Sequence, residues 1–417
     1  MRATTLLGMI LQVNHTKVTD VSWDDEGIVA DVAPTFEIPR CSGCGCRVRS
    51  CKDRRTRFWR HLDLGGMQFK LRYAIQRVDC PRCGVVVEMV PWAETGSHFT
   101  HNFEEHVAYL AQKTDKTTIV DTMRVAWRTV GSIVARVVDR FRPGDALDGL
   151  THVGVDELSY RKHHQYITVV IDHVTERVVW ARPGKSAETL GEFFKDLGPE
   201  RCQKIESVTM DMSPAYIAAV KAAVPEAQMI FDRFHVQRLA HDALDEVRRS
   251  EVREMKGTEE GKALKRTRFI LHKNPWNLDT LEGEKLTELK RVNGPIYRAY
   301  LMKESLAGIL DGRQINVARE KLTEWISWAT HSHLEPFQKL ARTVKNHVEG
   351  ILAYVQTRFT NGRTEGTNGK IRTITRRSYG FHSASNLIAL VYLCCSGILL
   401  LPVLKFPRLP TATAPSS

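Results

Sequence analysis

The apolar positions of this chain change period along its length. In VSWDDEGIVADV (21–32) and FWRHLDLGGMQFKLRYAIQRV (58–78) they alternate with polar ones around Asp25-Glu26-Gly27 and Gly65-Gly66, which predicts two β-hairpins. The run from Leu6 to Val13 is short and reads as a packed element. From 102 to 142 the period lengthens. Asn102 is placed to cap a helix carrying Phe103, Val107, Leu110 and Ala111, KTTIVDTM follows, and WRTVGSIVARVVDRF sets Val130, Ile133, Val134, Val137 and Val138 on one face. RPGDALDG (142–149) reads as a linker.

Between 152 and 232 strand and helix patterns succeed one another. Three strands, 152–158, 166–173 and 177–184, form an antiparallel meander. A helix capped by Ser186 places Leu190, Phe193, Phe194 and Leu197 at helical spacing. Strand 205–211, a helix opened by Ser213 and Pro214, and strand 227–232 complete the block. This β-β-β-α-β-α-β order is that of a ribonuclease-H-like fold. Helical patterns then dominate to about 356, broken at 257–261 and at HKNPWNL. Trp325 and Trp328 stand at i and i+3, a spacing shared by core pairs and by base-stacking pairs. Leu387 to Leu404 is 18 residues without a charge, the length of a membrane span. Ser396-Gly397 and Pro402 interrupt it, so a packed helix and a disordered tail are expected, with no membrane partner.

Within that block two strands end on carboxylates. Period two puts Val153 and Val155 on one face and His152, Gly154 and Asp156 on the other; Thr209 and Asp211 likewise oppose Val208 and Met210. Glu157 therefore points away from Asp156, which argues against a dyad. An acid at the end of a buried strand is costly unless a cation compensates it, so two on neighbouring strands suggest a divalent metal site.

Charge and cysteines sharpen the picture. The 417 residues carry a formal charge of +12, from 60 Lys+Arg against 48 Asp+Glu, which favours a polyanionic partner. The excess is dense in 47–77, where ten basic residues face only Asp53 and Asp63; Arg54 and Arg57 are expected to meet phosphates. Cys41/Cys44 and Cys80/Cys83 are two CxxC knuckles, the ligand set of one tetrahedral structural zinc ion. Cys46, Cys51 and His61 are substitutes with poorer spacing. An odd count of nine cysteines and no secretory pattern make disulfides improbable. The helical trio suits a helix-turn-helix, its last helix presenting Trp127, Arg128, Thr129, Ser132 and Arg136 to a DNA groove.

The phrases VGVDELS, TMDMSPAY, FDRFHV, LHKNPWNL, RTEGTNGKIR and SYGFHSASN resemble the DDE transposases of the insertion-sequence ISL-three group, from about Cys41 to Phe381. That resemblance implies a third acid on a late helix. Glu365 is preferred over Glu324, Glu335 and Glu349 because Asn361-Gly362 ends the previous element and lets a new helix begin beside it. It also implies that the Asp232-x-x-His235 step lies near the active site, although a structural hydrogen bond serves as well. Asp156, Asp211 and Glu365 would hold two Mg2+ ions, with Mn2+ as a substitute, about 4 Å apart. Asn368 shares the face of Glu365, and Lys370, Arg372, Arg376 and Arg377 are placed for DNA phosphates.

The expectation is thus a multidomain α/β enzyme with a ribonuclease-H-like core interrupted by a large helical insertion. Its parts are a β-rich zinc domain (1–100), a helix-turn-helix (101–142), a linker (143–150), the first part of the core (151–235), the insertion (236–356), the last core helices (357–396) and a tail (397–417). It would bind terminal inverted repeats and target DNA as a homodimer in the bacterial cytoplasm, at the nucleoid. The rival is a zinc and helix-turn-helix regulator with an inert core.

Overall fold

The computed structural model describes residues 3–142, 144–161, 165–265, 267–359, 361–377 and 383–401. The chain forms two compact units, Met1–Arg142 with Gly397–Ser417, and Pro143–Ser396.

In the first unit, helix α1 (Ala3–Leu11) precedes β1 (Thr16–Asp24), β2 (Gly27–Pro34), β3 (Cys51–Leu64), β4 (Met67–Cys80) and β5 (Gly84–Val87). The sheet runs β1-β2-β4-β3, with β5 paired to β4. Both expected hairpins are present: Asp24 faces Gly27, and Leu64 faces Met67 across Gly65-Gly66. β2 lies parallel to β4, and Gly27 sits so close to Gln68 that any Cβ there would strike its backbone. Trp59, Phe69, Leu71 and Trp92 fill the core, and the Trp59 and Trp92 rings meet edge to face at 5.5 Å.

Three helices follow, α2 (His101–Lys113), α3 (Lys116–Met123) and α4 (Trp127–Phe141). The cap of α2 is Thr100, not Asn102. Thr100 is the last extended residue, and its hydroxyl takes the Phe103 N–H at 3.3 Å. Asn102 lies inside the first turn and donates to the Leu11 carbonyl instead. The β3–β4 hairpin holds the α3–α4 turn: Arg60 donates to the carbonyls of Met123 and Arg124 at 3.3 and 3.4 Å, and Arg124 pairs with Asp63.

The second unit opens with β6 (His152–Arg161), β7 (Gln165–Asp172) and β8 (Arg177–Pro183), each antiparallel to the next. Then come α5 (Ala187–Leu197), α6 (Pro199–Cys202), β9 (Ser207–Met210), α7 (Pro214–Ala223) and β10 (Gln228–Phe231). Helical crossovers make β9 and β10 parallel to β6, giving the order β10-β9-β6-β7-β8. Val153, Val155, Val208 and Met210 pack on Leu190, Phe193, Tyr216 and Val220. These elements match the expected ones within a residue or a few.

The chain continues through α8 (Arg233–Glu254), α9 (Glu259–Lys265), α10 (Arg268–His272), a short 3-10 turn, α11 (Thr280–Val292), α12 (Gly294–Asp311), α13 (Ile315–Thr330), α14 (Glu335–Asn346) and α15 (Val348–Thr357). α15 packs on β10 so closely that a Cβ at Gly350 would enter the Phe231 ring. α16 (Asn361–Arg377) lies against β6, and α17 (Ala384–Cys395) against β8, where the Tyr392 hydroxyl accepts the Ala181 N–H at 2.7 Å. The apolar C-terminal run is therefore a packed helix as far as Cys395. Among the described residues no helix is long and apolar enough to cross a membrane.

Candidate metal centres and nucleic-acid surfaces

The sulfur atoms of Cys41, Cys44, Cys80 and Cys83 lie within 4.8 Å of one another, and those of Cys44 and Cys80 are 3.6 Å apart. Four thiolates around zinc, each at about 2.3 Å, would be spaced much like this, so the set fits one structural Zn2+. The long β3–β4 hairpin returns the chain and carries Cys80 back to the first knuckle. In that knuckle the Gly43 N–H points at the Cys41 sulfur, and Gly45, in the left-handed region, closes the turn onto the Cys41 carbonyl. The N–H groups of Arg82 and Cys83 pull the Cys80 thiol down to about 7, while Cys44 and Cys41 push Cys83 up to about 12. His61 is not a substitute ligand. It is buried, bonds to the Thr100 hydroxyl at 2.8 Å through Nδ1, and burial drives its imidazole down to about 4.

In the second unit Gly154 of β6 faces Thr209 of β9 in a parallel pair. The pairing ends there: Asp156 lies two residues on within β6, and Asp211 follows directly on the end of β9 at Met210. Each is half-buried and oriented by a backbone N–H: Glu157 donates to Asp156 Oδ1 at 2.7 Å, and Ser213 to Asp211 Oδ1 at 2.9 Å. α16 lies against β6 and buries Ile371 and Ile374. It begins at Asn361, so Asn361-Gly362 forms its first turn and Glu365 falls in the second; the preceding break is at Arg358, in the left-handed region after α15. The side chains of Glu365, Asn368 and Arg377 lie outside the described residues. Among the described residues the four cysteines alone form a metal-sized ligand group.

On α4, Trp127, Arg128 and Ser132 are exposed and Thr129 is half-buried. Arg136 is engaged elsewhere. It pairs at 2.7 Å with Glu104, which is wholly buried on α2, and Arg140 approaches the same carboxylate at 3.6 Å. On β3, Arg54 is exposed, whereas Arg57 is half-buried and donates to the carbonyls of Gly96 and Ser97 at 3.4 and 3.3 Å.

Three family models match successive parts of the chain. A family model described as a transposase matches residues 153–391, one for the helix-turn-helix domain of transposase family ISL3 matches 88–138, and one for the zinc-finger of IS204/IS1001/IS1096/IS1165 transposases matches 37–83. The transposase for insertion sequence element IS1557 from Mycobacterium tuberculosis is 37% identical over 430 residues, covering 95% of this chain and 96% of that protein. The chain belongs to the ISL3 family of insertion-sequence transposases. The transposase for element IS1001 from Bordetella parapertussis is 28% identical over 371 residues, covering 87% of the chain and 91% of its own length.

One feature of the transposase's acidic region escaped the sequence reading. Glu157 does occupy the opposite face from Asp156, where its register partner Thr168 bonds to the Tyr216 hydroxyl at 3.0 Å. Its carboxyl nevertheless belongs to the same electrostatic neighbourhood. Burial pushes it up, Lys185 holds it down, Asp211 and Asp156 push it up further, and His235 opposes them. The Asp232-x-x-His235 step is the cap of α8: Asp232 accepts the Phe234 N–H at 3.3 Å, and His235 Nε2 lies 4.0 Å from its carboxylate. Lys370, exposed like Arg372 and Arg376, donates to the Cys394 carbonyl at 2.7 Å, at the negative end of α17.

Proposed function

We propose that this transposase binds the terminal inverted repeats of its element as a homodimer, nicks the ends by metal-dependent phosphodiester hydrolysis, and joins the freed 3′-hydroxyls to target DNA. The observation that supports the reading is the parallel β6/β9 pairing, which puts Asp156 and Asp211 toward the same end of neighbouring strands, while the helix that bears Glu365 packs on β6. The strand order supports a ribonuclease-H-like core, with α8–α15 as the insertion between its second and third acids.

Asp156, Asp211 and Glu365 would hold Mg2+, or Mn2+ in its place, since carboxylate oxygens are the hard ligands such ions take. Two ions bound there supply an activated water or hydroxyl and neutralise charge on the phosphate and leaving oxygen. The protein's own part is placement. The N–H groups of Glu157 and Ser213 set the two aspartates, Arg372, Arg376 and Arg377 hold the strand on α16, and Arg54 meets duplex phosphates. Trp127, Arg128, Thr129 and Ser132 face bases or backbone from α4. Arg136, Arg57 and Lys370, engaged within the protein, serve mainly to position the elements that carry the others.

The test is a nicking and strand-transfer assay on a plasmid bearing the element's ends, with Mg2+, comparing the parent with Asp156→Asn, Asp211→Asn and Glu365→Gln. All three should bind the ends as the parent does and cut nothing. Substantial cutting by any one of them would remove that residue from the site.

A further inference from the structure

The helices α8–α15 hand the chain back to the core through Arg358 and Phe359, which no step of the proposed reaction uses. α15 ends at Thr357, and the Arg358 N–H closes its last turn on the Tyr354 carbonyl at 2.9 Å. Arg358 stands in the left-handed region, at φ 57° and ψ 14°, where glycine is the ordinary choice and a side chain is strained. Such strain persists only where the surroundings hold the residue in place.

The guanidinium provides that hold. It donates to the Leu310 carbonyl at 2.9 Å, to the Asp311 carbonyl at 3.3 Å and to the Gly312 carbonyl, and it lies over the Tyr354 ring at 5.5 Å. These carbonyls close the C-terminal end of α12, where helical partners run out and partial negative charge collects. The planar fork of arginine reaches several of them at once. The Asp311 carboxylate in turn pairs at 2.6 Å with Arg233, the first residue of α8. One helix end thus holds both the residue that opens α8 and the residue that follows α15.

Phe359 faces the core instead. Its ring centroid lies 4.8 Å from that of His152 and 5.5 Å from that of His173, with the second pair stacked at 21°. His152 opens β6, and its Nδ1 meets the Ser207 hydroxyl of β9 at 2.9 Å. α16 begins two residues after Phe359, at Asn361. Its buried Ile371 and Ile374 come after Glu365, so Glu365 falls between an anchor on either side.

We propose that Arg358 and Phe359 are positioning residues that set where α16 starts, and so where its acid stands relative to the two aspartates. Arg358 fixes the chain on the end of α12, and Phe359 fixes it on β6, the strand of Asp156. The inference rests on the proposed role of Glu365. A contribution to the stability of α12–α15 alone is the competing reading.

The full-length protein is followed by amide hydrogen exchange and by nicking across a Mg2+ titration. Arg358→Gly suits the left-handed backbone, so it removes the guanidinium without adding strain; Phe359→Ala removes the ring. Each should speed exchange in α16 and raise the half-saturating Mg2+ roughly ten- to hundredfold, with a smaller loss of rate at saturating Mg2+. Phe359→Tyr, which keeps the ring, should stay near the parent in both. Exchange in α13 and α14, and affinity for a paired duplex of the element's end, should stay at the parent's values. Parent-like exchange in α16 in both disruptive variants would overturn the proposal, and so would a parent-like Mg2+ dependence beside a dead Glu365→Gln. Exchange speeded equally in α12–α15 would overturn it too, assigning the pair to the stability of those helices. Glu365→Gln that cuts as the parent does would count against the proposed site, while exchange in α16 still judges Arg358 and Phe359.

Discussion

The cysteine cluster and the aspartate pair gather their ligands in opposite ways. Two local CxxC turns, joined by one long hairpin, bring four sulfurs within 4.8 Å of one another, those of Cys41 and Cys80 at buried residues. The aspartates stand toward the same end of the parallel neighbours β6 and β9, which two strands and two helices separate in the chain, and their proposed third partner lies on α16, far later in the chain. A closed tetrahedral thiolate set offers no position to a substrate and serves the fold. Carboxylates at open strand ends keep positions for phosphate oxygens, which is what phosphoryl chemistry needs. The difference sets a structural centre encoded in local turns against a proposed reactive one whose residues are spread across the chain.

The largest effect should separate the two at the level of activity. Asp156→Asn or Asp211→Asn should lower Mg2+-dependent nicking by about 10⁴-fold or more, because ligands of one centre act as a unit, with duplex affinity unchanged in a filter-binding assay. Glu349→Ala should leave nicking intact, since Glu349 is exposed and paired with Arg319 at 2.6 Å; dead Glu349→Ala with active Glu365→Gln would relocate the third ligand. Next, Cys80→Ser should release one zinc equivalent and destabilise the first unit by several kcal/mol, on the order of 5. The buried Trp59 and Trp92 give a fluorescence readout. Metal analysis with no zinc in the parent would end that assignment.

Acid should act on the first unit through His61. Its folded pKa of about 4 lies below the ordinary 6.5 because burial disfavours the cation. The unfolded chain therefore takes up the proton first, so this stability is complete above pH 6.5 and declines as pH falls toward 4. The loss should be about 3 kcal/mol, measured by urea unfolding across that window, and His61→Gln should flatten the slope. A parent profile that is flat from pH 6.5 to 4 would contradict it.

The smallest effects compare residues of α4. Arg128→Ala should cost about 1–3 kcal/mol on the specific end sequence and less on random duplex. Arg136→Ala should instead cost about 2 kcal/mol of folding stability, since buried Glu104 loses its strongest charged hydrogen bond. Competition binding and thermal melts on the two variants test this directly; sequence preference relaxed by Arg136→Ala would return that residue to the DNA-facing set.

Much of this architecture was legible before any coordinates. Period-two and helical patterns located both hairpins, the strands and helices from 152 to 232 and the three helices of 101–141, because burial on one face constrains residues two or three to four apart. The knuckle spacing favoured the four cysteines that the fold gathers over Cys46, Cys51 and His61. What stayed illegible were choices among equivalent candidates: Thr100 over Asn102 as a cap, Glu157 within reach of the aspartates' charge, and α16 starting a turn before Glu365. Each depends on where a backbone leaves the extended region or on side-chain length, not on pattern.

The residues by themselves determined the order of elements, the thiolate ligand set of the cysteine cluster and the basic character of 47–77, since periodicity, ligand softness and charge are properties of neighbouring residues. Tertiary structure alone decided which charges are left over for DNA. Arg136, Arg57 and Lys370 looked like their exposed counterparts Arg128, Arg54 and Arg372. Folding set each of the three against an acceptor remote in sequence, Glu104, the Gly96 and Ser97 carbonyls, and the Cys394 carbonyl. A cation bonds to whatever acceptor lies within about 3 Å, and only the packing of distant elements determines which acceptor that is.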